Sequence, residues 1–363
     1  MLVTPFSPLP PVETNQFVET EMNYRFHFRR YRLPLRAAVR TAHGAWTERE
    51  GVIVRLTPDR KEEGGRKMEE GWGEAAVIPW FGTETADEVE AACRELGEHV
   101  DDARLAAVPA RLGCLRNAIN AARAEETARA SHAPYLSVAA LLPAGRAALE
   151  AIAPKAEAGF RVFKWKVGVG DAADEMALLD DVCAALPNGA ALRLDANGAW
   201  DRRTAERWLG RCADRPVEFV EQPIAVNARG AQDVLLGLAS DFPTPLALDE
   251  SLAGDGDIER WLGAGWRGVF VVKPGLLGDA AGALEKLARA NASVVFSSAL
   301  ETAVGARAAL RVAFAWPGKA RALGFGVWPL FADVRFDGPR AAPFLRWEDV
   351  ERINPEGVWN ALS

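Results

Sequence analysis

The sequence predicts an α/β barrel preceded by a small α+β unit, and three observations carry that expectation. From about Tyr135 onward, short apolar strands alternate with amphipathic helical stretches. Eight such strands fall within about 200 residues, the pitch of a strand–helix barrel. The chain ahead of Tyr135 follows another rhythm, with alternating strands first and helices after them.

In chain order, MLVTPFSPLPPVETNQ has neither a basic region nor an apolar segment. It therefore does not look like a secretory signal and reads, over residues 1–22, as a loose leader. Tyr24, Phe26 and Phe28 alternate with polar or charged residues, as a half-buried strand does. Gly51–Leu56 is a second strand, TPDRKEEGGRKMEE a solvated turn, and GWGEAAVIP a third strand. From Thr85 to about Ala130, apolar residues recur at three- and four-residue spacing, which is helical. Residues 23–130 thus form the α+β unit and 131–330 the barrel, with 331–363 returning towards the first unit. The barrel strands are YLSVAALLP, RVFKWKV, ALRLDAN, EFVEQP, PLALDES, GVFVVKP, SVVFSSA and ALGFGVW. A doubly wound open sheet is disfavoured, because no GxGxxG follows the first strand.

Composition narrows the function. Nearly half of the 363 residues are apolar, a quarter are charged, and the net charge is −7. Such a chain gives no electrostatic reason to expect nucleic acid or an anionic membrane as partner. No uncharged apolar run approaches the ~18 residues that span a bilayer. Cys93, Cys114, Cys183 and Cys212 are scattered and form no CxxC pair. That argues against a zinc site or a disulfide framework and suits a reducing, cytoplasmic compartment.

Polar residues stand where the strands end. Lys164 and Lys166 end the second, Asp195 and Asn197 the third, Glu221 the fourth, Asp249 and Glu250 the fifth, Lys273 the sixth, and Ser297 and Ser298 the seventh. From Lys166 to Asp195, Glu221, Asp249, Lys273 and Ser297 the steps are 29, 26, 28, 24 and 24 residues, each one strand–helix unit. A barrel gathers these residues at one mouth, where barrel enzymes keep their active sites. Taken singly, each has a structural role to play: helix cap, strand edge or loop. Jointly, lysines bracket three acids in consecutive units, which independent caps do not explain. The aromatic pair Trp80-Phe81 reads as packing or domain interface, and His43 as an ordinary loop residue.

Residue types then set the chemistry. Three carboxylates make an all-oxygen site suited to Mg²⁺ or Mn²⁺. Without a cation they would repel one another and raise at least one pKa. A divalent ion and flanking ammonium groups stabilise the enediolate formed when a proton leaves the carbon next to a carboxylate. Lys166 serves as the base if its pKa is lowered, and Lys164 supplies a nearby positive charge that does so.

The ordered set KWK, LDAN, VEQP, LDES and VVKP resembles the enolase superfamily. That resemblance covers the chain after about Asn23 and implies a (β/α)7β TIM-like barrel with an α+β capping domain. A narrower resemblance is to the o-succinylbenzoate synthase family. LRLDAN, KPGLLG and FSSALET carry it, together with RTAHGAWTEREGVIVRL and GWGEAAVIPWFGTET in the first unit. It implies dehydration of a dicarboxylate, 2-succinyl-6-hydroxy-2,4-cyclohexadiene-1-carboxylate, to o-succinylbenzoate on the way to menaquinone or phylloquinone. Carried over, it makes Lys166 the base, which also protonates the departing hydroxyl in a syn elimination. Lys273 is then the cation on the opposite face, and Asp195, Glu221 and Asp249 are the Mg²⁺ ligands. Lys164 and Arg193 add positive charge near the carboxylate, Ser297 and Ser298 bind the second carboxylate, and the loop from Thr41 to Trp46 closes over the succinyl arm.

Three other functions compete. Racemases and epimerases of the same superfamily, including those acting on N-succinylamino acids, use the same two lysines, and so do cycloisomerases. Dipeptide epimerases typically carry an acidic DxD-type motif on the last strand, and ALGFGVW has no acid. A metal-binding barrel without catalysis is the non-enzymatic alternative, against which stands the intact set of lysines and acids.

Overall fold

The structure, a computed structural model, describes residues 22–41, 44–59, 69–124 and 133–362. The expected leader (apart from its last residue), His43 and most of the charged turn fall outside them. Strands β1 (Asn23–Thr41) and β2 (Gly44–Pro58) form a long antiparallel pair, with β3 (Gly71–Ala75) beyond β2 and β4 (His99–Asp101) beyond β1. β2 begins well before the expected Gly51. Its first half buries little apolar surface, so it carries no apolar period, and cross-strand pairs such as Arg32–Glu48 at 2.7 Å link it to β1.

Helices α1 (Ala86–Leu96), α2 (Asp102–Ala106) and α3 (Gly113–Arg123) complete this unit. Thr85 starts α1 with a reciprocal cap: its hydroxyl accepts from Glu88 N, and the Glu88 carboxylate accepts from Thr85 N. α3 lies so close on β3 that a Cβ on Gly71 or Gly73 would meet the Ala122 or Ala118 carbonyl oxygen at 1.7 or 1.8 Å. Phe26, Val52, Val54, Val89, Leu115 and Ile119 form the core between sheet and helices.

The second unit is a parallel sheet of seven neighbouring strands. They are β6 (Ala140–Leu142), β7 (Val162–Lys166), β8 (Ala191–Asp195), β9 (Val217–Glu221), β10 (Leu246–Leu248), β11 (Val269–Val272) and β12 (Ser293–Phe296). Between and after them run α4 (Ala147–Glu157), α5 (Ala172–Ala185), α6 (Arg202–Cys212), α7 (Ala231–Asp241), α8 (Asp255–Gly263), α9 (Ala280–Arg289) and α10 (Ala303–Phe314). Alternate residues of each strand, such as Phe163 and Trp165 of β7, are fully buried in the core shared with the helices. Their neighbours point inward, where Phe219, Ala247, Val269, Val271 and Val295 fill the barrel.

Two expected strands take another form. YLSVAALLP is not one strand. Its first half, β5 (Tyr135–Ser137), pairs antiparallel with β13 (Phe344–Arg346), and only β6 enters the barrel. ALGFGVW supplies bridges and no ladder. Leu323 N donates to Ser137 O at 2.8 Å and Gly324 N to Phe296 O at 2.8 Å, so this segment joins the two edges and closes the barrel. The approach is tight, since a Cβ on Gly324 would stand 2.5 Å from Ser297 Oγ. After it, Phe331 bridges to Leu35 of β1. The last helices, α11 (Trp347–Glu351) and α12 (Pro355–Ala361), bring Trp359 within 5.5 Å of Trp72. Among the described residues no helix is long and apolar enough to cross a membrane.

Candidate active site

The side-chain period of two that buries Phe163 and Trp165 turns Lys164 and Lys166 inward. The parallel register then sets Lys166 beside Asp195, and Asp195 beside Glu221. Asp249, Lys273 and Ser297 directly follow the ends of β10, β11 and β12. Strands β8 to β10, which deliver the three acids, lie between β7 and β11, so Lys166 and Lys273 stand on opposite sides of the mouth.

There the charges pair. Lys164 Nζ lies 2.9 Å from Asp195 Oδ2 and 2.7 Å from Glu221 Oε1. The Lys273 ammonium bonds to Asp249 Oδ1 and lies 4.6 Å from the centre of the Phe81 ring. With the lysines so placed, no three acids among the described residues converge on one point. Two non-glycine residues with positive φ brace the acids. Gln222, at φ 37°, accepts through Oε1 from Asp249 N at 3.0 Å and from Ser251 N at 3.2 Å. Asn197, at φ 45°, donates from Nδ2 to Glu250 Oε1 at 3.0 Å.

A cavity of about 680 Å³ opens over these groups. Lys164, Lys166, Asp195, Asp249, Lys273, Ser297 and Ser298 all line it. Glu221 lies beneath, 1% exposed, and is reached through Lys164. The first unit contributes Trp46, Trp80 and Phe81, with Trp46 and Trp80 edge to face at 4.4 Å. Trp80 and Phe81, expected to serve as packing or domain interface, also line the cavity.

Arg193 corrects an expectation. It does not supply charge to the cavity. One residue of β9, Glu218, bulges from the register and accepts from Arg193 Nε at 2.7 Å, while Arg193 Nη1 donates to Ala322 O at 2.7 Å. Inside the barrel its guanidinium lies 4.9 Å over the Phe219 ring, one residue pair below the mouth. The serines also differ in surroundings. Ser297 Oγ donates to Gly324 O at 3.3 Å, whereas Ser298 Oγ lies 3.1 Å from Glu301 Oε2. Neither caps α10, because Thr302 does.

The electrostatics separate the two lysines of β7. Burial disfavours the charge on Lys164, but Asp195 and Glu221 outweigh it and raise its pKa. Burial lowers Lys166, against the pull of Asp195 and with help from the Lys164 charge. Burial also brings Lys273 down to about 7, while its contact with Asp249 favours the charged form. Glu250 is pushed up to about 7 by burial and by the negative charge of Asp195. Two oxygens at this end of the barrel, Asn197 Oδ1 and Glu250 Oε2, are buried and lack a hydrogen-bond partner among the described residues. Carboxylate and amide oxygens are the hard donor type that suits a divalent cation, and here the Lys164 and Lys273 ammonium groups pair with Asp195, Glu221 and Asp249 instead. Sequence reasoning had given Asn197 and Glu250 no role, although both stand in the strand-end motifs LDAN and LDES.

Comparison with known proteins agrees with this fold. Residues 146–342 match the family model described as enolase C-terminal domain-like. An o-succinylbenzoate synthase of Thermosynechococcus vestitus is 38% identical over 331 residues, which is 88% of this chain and 95% of that protein. The crystal structure of o-succinylbenzoate synthase from Thermosynechococcus elongatus, with Mg in its active site, superposes with a TM-score of 0.74. It is 35% identical, and the match covers 93% of this chain and 99% of that one. The L-Ala-D/L-Glu epimerase of Bacillus subtilis shares the fold at a TM-score of 0.75 and 20% identity, over 89% of this chain and 95% of that one. The chain belongs to the o-succinylbenzoate synthase family of the enolase superfamily.

Proposed function

We propose that the protein is an o-succinylbenzoate synthase. It removes water from 2-succinyl-6-hydroxy-2,4-cyclohexadiene-1-carboxylate, a step towards menaquinone or phylloquinone. The observation that carries this reading is the 38% identity, over 88% of the chain, to an o-succinylbenzoate synthase, and the pairing of Lys166 and Lys273 across one cavity with the carboxylates between them is the geometry that such a reaction needs. Asp195, Glu221 and Asp249 would hold Mg²⁺, with Mn²⁺ suited to the same oxygens. When bound, that ion supplies Lewis-acid charge to the ring carboxylate.

The chain's own residues do the rest. Lys166, its charged form disfavoured by burial and by Lys164, accepts the proton from the carbon beside the carboxylate. Holding that proton at Nζ on the same face, it passes it to the departing hydroxyl, so the carbon–oxygen bond breaks and water leaves. Lys273 places its ammonium on the other side, where negative charge develops. Ser297 and Ser298 lie where a second carboxylate would reach, and Trp46 and Trp80 cover the succinyl arm. Gly324 and Val327 line the cavity from the closing segment, which brings no acid to hold an amine. That favours a dicarboxylate over a dipeptide. The four free thiols suit a reducing cytoplasm.

An absorbance assay tests the assignment. Purified protein with Mg²⁺ receives freshly made substrate, and loss of the diene is followed with and without EDTA. The expected result is EDTA-sensitive loss with an efficiency on the order of 10⁴ M⁻¹s⁻¹ or more. Absence of that loss would leave the fold but remove the synthase assignment.

A further inference from the structure

The loop that carries Ser297 and Ser298 is gripped from the first unit. Arg49, 1% exposed, donates from Nε to Leu300 O at 3.0 Å and from Nη2 to Ala299 O at 3.2 Å. Leu300 itself has φ 59°. Glu74 of β3 accepts from Tyr31 Oη at 2.6 Å, from Thr302 N at 2.9 Å, from Gly305 N at 2.9 Å and from the Thr302 hydroxyl. It thereby caps the first turn of α10 from another unit of the fold.

Glu301 lies beside Glu74. A Cβ on Gly305 would stand 2.8 Å from Glu301 Cβ and 3.0 Å from Glu74 Oε2. The two acids are provided for unequally. Glu301 Oε2 accepts from Ala299 N at 2.5 Å and meets Ser298 Oγ at 3.1 Å. Its Oε1 is buried without a hydrogen-bond partner among the described residues. Two adjacent buried carboxyl groups favour one shared proton. Glu74 holds the donors, so that proton belongs on Glu301. Consistent with this, burial and the charge of Glu74 push Glu301 up to about 7. The ionisable groups facing it are Glu74 on β3, Tyr31 on β1, Arg49 on β2 and Lys273 after β11.

A serine hydroxyl has one proton and two lone pairs. One lone pair of Ser298 already accepts from Leu300 N at 2.9 Å. We propose that Glu301 is a positioning residue which, when protonated, donates from Oε2 to Ser298 Oγ and so frees the serine proton to reach into the cavity. There it donates to the second carboxylate of the substrate, a role that rests on the dicarboxylate reading above. On Oε1 the proton would find no acceptor, whereas on Oε2 it finds Ser298 while that oxygen still accepts from Ala299 N. When Glu301 is ionised, Ser298 spends its proton on Glu301 and turns a lone pair towards the carboxylate.

The test is calorimetric titration of o-succinylbenzoate into Mg²⁺-loaded wild type, Ser298→Ala and Glu301→Gln, between about pH 6 and about pH 8.5. Comparison with Ser298→Ala cancels every titration that the variants share. Wild type is expected to bind roughly tenfold more tightly than Ser298→Ala at the acid end, with the advantage fading as Glu301 ionises. Glu301→Gln separates hydrogen-bond direction from charge. Ala299 N–H requires an acceptor, so the amide oxygen occupies the Oε2 position and takes the Ser298 proton. This neutral variant is therefore expected to bind as weakly as Ser298→Ala at every pH. A wild-type advantage that stays constant with pH, or a Glu301→Gln protein that binds like acid wild type, overturns the role. If Glu301→Gln does not fold, the Ser298→Ala comparison decides alone. Turnover with a constant advantage sinks only the positioning role, whereas neither turnover nor binding sinks the synthase reading and this role with it.

Discussion

Lys164, partly buried, and the buried Glu221 are joined by an ion pair of 2.7 Å, and the same ammonium stands 2.9 Å from Asp195. This contact divides the labour of the two lysines on β7. Lys164 is held charged by its carboxylates, while Lys166, two residues on, is driven towards the neutral form that a base needs.

Replacing Lys164 by Met therefore acts on Lys166. The charge that lowers Lys166 is gone, and Asp195, no longer neutralised, pulls it up further. As the proposed base, Lys166 accepts a proton only when neutral, so activity rises as pH rises through its pKa. The acid limb of the kcat profile is expected to move to higher pH, with turnover roughly tenfold slower at neutral pH. An acid limb that stays in place would remove Lys164 as the group that tunes Lys166.

Lys166→Ala removes the proposed base. A loss of turnover of about 10³-fold or more is expected, in line with the value of a positioned acid–base group. Metal affinity, read by calorimetry with Mg²⁺, should change little, because the proposed ligands Asp195, Glu221 and Asp249 remain. Retained turnover would rule out Lys166 as the base.

How much of this was legible follows from what periodicity reports. Lys164, Lys166, Asp195, Asp249 and Lys273 were readable because strand ends recur at one strand–helix spacing and a barrel gathers them. Arg193 was misread for a local reason: the bulge at Glu218 adds a residue to β9, and a strict period of two would have pointed that acid outward. The cavity wall of Trp46, Trp80 and Phe81, and the Glu74–Thr302 contact, join residues far apart in sequence. No pattern within one element encodes such contacts. The closing segment was visible as apolar sequence, but its glycines permit a backbone approach that yields bridges instead of a ladder.

Glu221→Gln addresses the metal. Glu221 is 1% exposed and accepts from Lys164, so the amide keeps shape and loses charge. Mg²⁺ affinity is expected to fall by roughly tenfold or more. Calorimetric titration checks it, and an unchanged affinity would take Glu221 out of the ligand set.

Arg193 supplies the contrasting case, a charged residue inside the barrel that the cavity does not use. Its Nε is spent on Glu218 and its Nη1 on Ala322 O, and Glu218 is shared with Arg321. Arg193→Met keeps much of the side chain's apolar volume but leaves a half-buried carboxylate with one partner fewer. Removing one member of a buried pair typically costs about 3–5 kcal/mol, and Arg321, which still pairs with Glu218, places the expected loss near the lower end. Denaturant unfolding should therefore show lower stability, while KM for the substrate stays close to wild type because Arg193 touches nothing in the cavity. A large rise in KM at unchanged stability would return Arg193 to the substrate site.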